Sequence, residues 1–170
     1  MDFLIIKGDL INMEVDAIVN SANTELLVGG GVCGSIFRDA GKELLGEECK
    51  KLAPINTGEA VLTPGFNLRA KYIIHTVGPI YDENKKEDCE NKLRKSYYNS
   101  MQLAVNYSCK TIAFPLISSG IYGYPKTEAF LIAKSEIEEF VKKNKIKVYL
   151  VIYEESDYEK FKKILELEKN

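Results

Sequence analysis

Asn20-Ser21-Ala22-Asn23, followed after a short gap by Gly29-Gly30-Gly31-Val32-Cys33-Gly34, is where residue type and spacing point most directly to chemistry. Amide side chains supply donors and acceptors together, and successive glycines let backbone N–H groups come close to a bound group. The stretch follows an apolar segment, Asp16-Ala17-Ile18-Val19, and precedes a helical pattern beginning near Ser35. At a strand-to-helix junction the free N–H groups and the helix dipole favour an anion, usually phosphate. Ile117-Ser118-Ser119-Gly120-Ile121-Tyr122-Gly123-Tyr124-Pro125 repeats that chemistry downstream. Two phosphate-type loops with amides beside them suggest a pocket for a diphosphate nucleotide.

Such loops need strands and helices to hold them. Phe3–Ile6, Ala17–Val19, Ala60–Leu62, Tyr72–Ile74, Thr111–Phe114 and Val148–Ile152 have the short apolar pattern of buried strands. Helical patterns run from Gly34 to Leu52, Cys89 to Tyr107, Thr127 to Lys143 and Asp157 to Glu168. In the third, Ala129, Ile132, Ala133, Ile137, Phe140 and Val141 recur at helical spacing and are expected to face a sheet. Ser156-Asp157 has the chemistry of an N-cap for the last helix, and the polar segment Tyr81–Glu90 is expected to be an exposed loop. Helices alternating with strands through short loops argue for an α/β domain whose largely parallel sheet is covered on both faces.

With 170 residues and no linker, repeat or low-complexity tract, the expectation is one domain spanning residues 1–170. A net charge of −2 with intermixed signs argues against a nucleic-acid or membrane surface as partner, so an anionic ligand must rely on local backbone dipoles. Cys33, Cys49, Cys89 and Cys109 form no CxxC pair, which signals neither a zinc site nor a disulfide framework. With neither a secretory leader nor an apolar run of membrane-spanning length, the expectation is a cytosolic protein with reduced thiols, working as a monomer without metal or cofactor.

Gly29, Gly31 and Gly34 satisfy a GxGxxG spacing, yet Ser21–Val28 separate them from the apolar strand. A dinucleotide-binding turn places its first glycine directly at the strand end, so the detail goes against that reading. No Gly-Lys-Ser/Thr follows, which excludes a Walker phosphate loop.

The motifs, in their order along the chain, resemble the macrodomain family. Gly8-Asp9-Leu10 is similar to its GD(I/L) motif, and Asn20–Asn23 with Leu26–Val32 to its NAAN…GGGV signature. Thr57-Gly58-Glu59-Ala60 and Ala70–Pro79 resemble its TGEA and AKYVIHTVGP blocks, and Ile117–Pro125 its second phosphate loop. The resemblance covers nearly the whole chain and lies closest to the branch of ADP-ribosyl hydrolases and O-acetyl-ADP-ribose deacetylases. It implies a three-layer α/β/α fold around a mixed, largely parallel sheet. It also implies a ligand, ADP-ribose or O-acetyl-ADP-ribose, free or carried on mono-ADP-ribosylated proteins.

The same resemblance assigns residues to parts of that ligand. Asp9, with the Leu10 N–H beside it, would bind the adenine amino group, and the Tyr153 ring would stack on adenine. The backbone of Ser118, Ser119, Gly120, Ile121 and Tyr122 would hold the diphosphate, with Gly30, Gly31 and Val32 on its other side. Asn23 would fix the distal ribose for hydrolysis, with Cys33 beside it as the second catalytic position, and Asn20 would secure the loop. Taken alone, Asp9 could also stabilise a turn, Tyr153 could pack on the rim, and Asn23 could cap its own loop.

The chain departs from the pattern it resembles at two positions. Cys33 stands where hydrolases of this branch carry an aspartate after GGGV, and Phe37 replaces the following histidine. A thiol, with a reference pKa of ~8.5, is a poor substitute for that carboxylate as a base. Three readings stay open: hydrolysis with water oriented by the ligand's own phosphate, an ADP-ribose reader without turnover, or a Cys33 nucleophile. The one histidine, His75, lies in an apolar strand pattern and has the setting of a buried structural residue.

Overall fold

In a computed structural model describing residues 2–169, six strands form one sheet in the order β1-β6-β5-β2-β4-β3. The strands are β1 (Phe3–Lys7), β2 (Ala17–Ser21), β3 (Ala60–Pro64), β4 (Tyr72–Thr76), β5 (Thr111–Phe114) and β6 (Lys147–Ile152). All neighbours run parallel except the β3–β4 pair, so the sheet is mixed and largely parallel, as the resemblance implies. The helices are α1 (Gly31–Ala40), α2 (Lys42–Leu52), α3 (Lys86–Asn106), α4 (Lys126–Lys143) and α5 (Glu155–Glu168).

Each face of the sheet buries its own apolar cluster. Ile18 and Ile73 look toward Ile36, Phe37 and Ala40 of α1 and Leu45 and Cys49 of α2. Val19, Ile74, Ile112 and Phe114 look toward Leu93, Tyr97 and Met101 of α3, Phe130 and Ala133 of α4, and Phe161 of α5. Three layers result because period-two alternation along each strand sends neighbouring side chains to opposite faces. Ala129, Ile132, Ala133, Ile137 and Phe140 of α4 are buried as the helical spacing predicts, and Val141 packs half-buried against them.

Four expectations need correction. The single helix Gly34–Leu52 is two helices, because Gly41 adopts φ 112°, a backbone open to glycine and strained for other residues. Tyr81–Glu90 is not a loop throughout: Asp82 caps a 3-10 turn at Glu83–Lys85 by accepting from Asn84 N–H at 2.9 Å, and α3 starts at Lys86. The last helix begins at Glu155 with Glu154 at the capping position, and no side chain caps it. Asp157 instead pairs with Lys126 at 2.8 Å. Finally, β2 runs two residues beyond the expected Ala17–Val19 and ends at Ser21, so Asn20 secures the loop from within the strand. The expected domain limits reach Met1 and Asn170, which lie outside the described residues.

The connections from β2 run through α1 and α2 on one face, while the connection from β5 to β6 runs through α4 on the other. β2 and β5 are neighbours, so the chain's direction of winding reverses between them. Crevices outside the carboxyl ends of parallel strands open at such a reversal.

Candidate functional site

Four of the five parallel strands, β1, β6, β5 and β2, deliver their loops to one edge of the sheet, in that spatial order. Asp9 and Leu10 follow β1, Tyr153 follows β6, Ser118–Tyr122 follow β5, and Asn23 to Cys33 follow β2. At about 4.8 Å per strand, the outer pair of these loops stands about 14 Å apart, a crevice suited to an elongated ligand. Asp9, Leu10, Tyr153, Ser118–Tyr122 and Asn23–Cys33 thus lie on loops or a helix start at this one edge, whereas His75 lies within β4 and Phe37 within α1.

At the β1/β6 end, Lys7 pairs with Ile152 and Gly8 N–H donates to the Ile152 carbonyl at 3.1 Å, which sets Asp9 close to Tyr153. Asp9 caps the 3-10 turn Leu10–Asn12, its Oδ1 accepting from Ile11 N–H at 3.4 Å, and Leu10 is buried. The turn role open to Asp9 is therefore occupied by one carboxylate oxygen. Tyr153 is 72% exposed, so rim packing does not account for its ring. An exposed aromatic face beside an acceptor is a setting for a flat heterocycle.

The second loop is anchored from below. Tyr97 of α3 is fully buried, accepts from Ile117 N–H at 3.0 Å and donates to the Pro115 carbonyl at 3.4 Å. Burial pushes the Tyr97 phenol well above its ordinary value, so it stays protonated. Ser119 Oγ donates to the Leu116 carbonyl at 2.8 Å, Tyr124 N–H to Ser118 O at 2.9 Å, and Gly123 N–H to Gly120 O at 3.0 Å. Tyr81 N–H crosses to Tyr122 O at 2.8 Å, and the Tyr81 and Tyr124 rings pack 4.9 Å apart. Ser118 holds φ 67° with its hydroxyl buried and unpartnered among the described residues. Above this base, the N–H groups of Gly120, Ile121 and Tyr122 have no acceptor among the described residues. Ile121 stands over them, 91% exposed.

The glycine loop faces it. α1 starts at Gly31, whose φ of 56° is the left-handed region glycine tolerates. Its first turn leaves the N–H groups of Gly31, Val32 and Cys33 outside the helical ladder, with the positive end of the helix dipole behind them. Gly34 cannot be larger, since a Cβ there would sit 2.7 Å from the Gly29 carbonyl oxygen. A Cβ on Gly30 would come within 3.9 Å of Ile121 Cδ1, so the two loops close toward each other across the β2/β5 boundary.

Asn23 is half-buried and clamps its own loop. Its Oδ1 accepts from Leu27 N–H at 3.0 Å and its Nδ2 donates to the Leu27 carbonyl at 2.9 Å. That pair fixes which end of the amide is oxygen and leaves one N–H and one lone pair for a ligand. Cys33 is 6% exposed and faces the α1/α2 cluster. Its thiol donates to the same Leu27 carbonyl at 3.7 Å and accepts from Asn20 Nδ2, also at 3.7 Å.

Behind the loop lies a polar chain that sequence reasoning located only in pieces. Asn20 Nδ2 is 3.1 Å from His75 Nδ1, and His75 Nε2 is 3.0 Å from Thr63 Oγ1. All three residues are buried among apolar neighbours. Burial without a nearby anion lowers His75 to about 4, so the ring is neutral at physiological pH and no general base. Cys49, behind Cys33, is pushed up to about 11 by burial first and by its neighbours Cys33 and Glu48 second. Asn20 and His75 are register partners, and Thr63 reaches His75 diagonally, two residues along β3 from His75's partner Val61, an arrangement no linear pattern displays.

These features define a class: a three-layer α/β domain with two loops of unpaired backbone N–H groups at a winding reversal. The pattern of the Macro domain family matches residues 19–133, and the chain belongs to that family. It is 52% identical over 163 residues to a macro domain-containing protein of Methanosarcina mazei, covering 95% of this chain and 86% of that one. It is 49% identical over 147 residues to the ADP-ribose glycohydrolase MACROD2 of Xenopus laevis, covering 86% of this chain and 35% of that protein. Among solved structures, the Oceanobacillus iheyensis macrodomain with ADP matches with a TM-score of 0.91 and 37% identity. That match covers 99% of this chain and 93% of the other.

Proposed function

We propose that the crevice binds ADP-ribose and that the protein hydrolyses ADP-ribosyl bonds, removing mono-ADP-ribose from acidic side chains, deacetylating O-acetyl-ADP-ribose, or both. The observation that carries this reading is the pair of loops with free N–H groups, Gly31–Cys33 and Gly120–Tyr122, facing each other beside a fixed Asn23. Adenine would lie on Tyr153 with its amino group on Asp9. The diphosphate would lie between the loops, and the distal ribose would reach Asn23. This order follows the order of the strands.

Catalysis in this reading is preorganisation. The Leu27 clamp holds Asn23 in one amide orientation, and the backbone donors add no reorganisation when charge develops. A water oriented by a ligand phosphate oxygen, which takes up its proton, attacks the anomeric carbon of the distal ribose as the bond to the side-chain carboxylate breaks and the carboxylate leaves. In O-acetyl-ADP-ribose it attacks the ester carbonyl carbon, and the acetyl group leaves as acetate while the ribose keeps its hydroxyl. Fixing water and ribose together supplies up to about 7–11 kcal/mol of the barrier. His75 takes no proton, being neutral and buried away from the crevice.

A second reading has its own observation. The first turn of α1 holds no acidic residue, and the thiol at that place points into the protein. Such a site suits a reader that holds ADP-ribose without turning it over. In either case the partners are mono-ADP-ribosylated proteins or free ADP-ribose, met by a monomer in the cytosol. Calorimetric titration with ADP-ribose, ADP and AMP tests the shared part. Affinity should fall in that order as the distal ribose and then a phosphate are removed, and equal affinity for all three would refute the assignment.

A further inference from the structure

The hydrogen positions of the buried chain follow from its end. Thr63 Oγ1 donates to the Pro64 carbonyl at 3.1 Å, which spends its only hydrogen. With that hydrogen on the Pro64 carbonyl, the consistent tautomer has His75 Nε2 donating to Thr63 and Nδ1, without a hydrogen, accepting from Asn20 Nδ2. The amide of Asn20 is thereby oriented, and its oxygen is left buried without a partner among the described residues. Turning the amide over would not help, because its oxygen would then meet the lone pair of Nδ1. The second hydrogen of Nδ2 reaches Cys33 Sγ, and the thiol hydrogen reaches the Leu27 carbonyl. Leu27 in turn holds both polar atoms of Asn23.

We propose that Cys33 is a positioning residue, the link through which the buried His75–Asn20 pair fixes Leu27 and, through Leu27, the amide of Asn23. This rests on the reading of the crevice as an ADP-ribose site for its consequence in turnover, but the link itself is a property of the unliganded protein. The thiol is buried, its hydrogen is committed to a carbonyl, and it bridges strand β2 to the loop. Those features set it apart from an attacking nucleophile, which must face the ligand. A side chain at Gly29 would stand 3.7 Å from Cys33 Sγ and 3.8 Å from Asn23 Nδ2, so thiol and amide border the same small space.

The test compares wild type, Cys33→Ala and Cys33→Ser by amide hydrogen exchange at Leu27, referred to the buried strand amide of Ile74 in the same sample. Affinity for ADP-ribose is measured by calorimetry. kcat and KM are measured on a glutamate-linked mono-ADP-ribosylated protein. In Cys33→Ala, Leu27 should exchange about tenfold faster while Ile74 is unchanged, because the opening is local. ADP-ribose affinity should hold within about threefold, since the backbone donors remain, and kcat should fall about tenfold at constant KM. Cys33→Ser, which keeps a donor and an acceptor, should recover most of both losses. Unchanged Leu27 exchange in Cys33→Ala, or a serine variant as impaired as alanine, would overturn the proposal. A wild type that binds no ADP-ribose would sink the functional reading alone, since the exchange data still decide the link.

Discussion

His75 makes the stability of this protein depend on pH in a window that one residue controls. It is the only histidine in the chain, and burial lowers it to about 4 from an ordinary 6.5. The unfolded chain therefore binds a proton between pH 6.5 and about 4 that the folded chain does not, and stability falls as pH falls through that window. At about 1.36 kcal/mol for each pH unit, the full effect is about 3 kcal/mol, of which about 2 kcal/mol is lost between pH 7.5 and 5. For a chain of this size that is a drop of about 4–8 °C in Tm. The assay is urea and thermal unfolding of wild type and His75→Gln at intervals from pH 7.5 to 4. The glutamine variant should be less stable at neutral pH, because a buried network is disturbed, yet flatter with pH down to about 5. Below that the carboxylates add their own slope to both proteins. An imidazole proton titration by NMR gives the same number directly. Parallel pH dependence in the two proteins, or an imidazole titrating near 6.5, would refute the reasoning.

Other consequences are as specific. Tyr153→Ala should weaken ADP-ribose binding by about 1–3 kcal/mol, the worth of one base–aromatic stack, with Tm almost unchanged because the ring is exposed; calorimetry and a melting curve on one sample check both. Gly34→Ala places a Cβ 2.7 Å from the Gly29 carbonyl oxygen and should cost about 1–3 kcal/mol in denaturant unfolding. Its exchange protection should be lost first at Leu27. Cys33, Cys49, Cys89 and Cys109 are all buried free thiols, and Cys49 is pushed up to about 11. A disulfide reagent at pH 8 should label native protein slowly and all four thiols quickly in denaturant.

Much of the architecture is written locally in the chain. Six apolar runs mark the six strands: the central parallel strands β2, β4, β5 and β6 are apolar because both their faces are buried, while the edge strands β1 and β3 are mostly half-buried. The glycine-rich stretch announces a close backbone approach because other residues would block it. What the linear pattern hides depends on partners far away. Gly41 divides α1 from α2 by one backbone angle inside a continuous apolar period, which outweighs the pattern. Asp82 and its 3-10 turn start α3 early because a capping carboxylate offsets a polar segment's poor burial. The Asn20–His75–Thr63 chain arises from register across three strands, and Tyr97 reaches the root of the second loop from another helix. Cys33 is visible in sequence only as a missing carboxylate, whereas its bonds to Asn20 and Leu27 exist only in the fold.

The central claim is an ADP-ribose crevice in which Asn23, held by Leu27, serves turnover. The most direct measurement is release of ADP-ribose from a glutamate-linked mono-ADP-ribosylated protein by wild type and Asn23→Ala, with ADP-ribose affinity determined in the same samples. The account predicts turnover by wild type that collapses in the variant far more than affinity does. Tight ADP-ribose binding with no turnover on that substrate or on O-acetyl-ADP-ribose would contradict it and make the protein a reader.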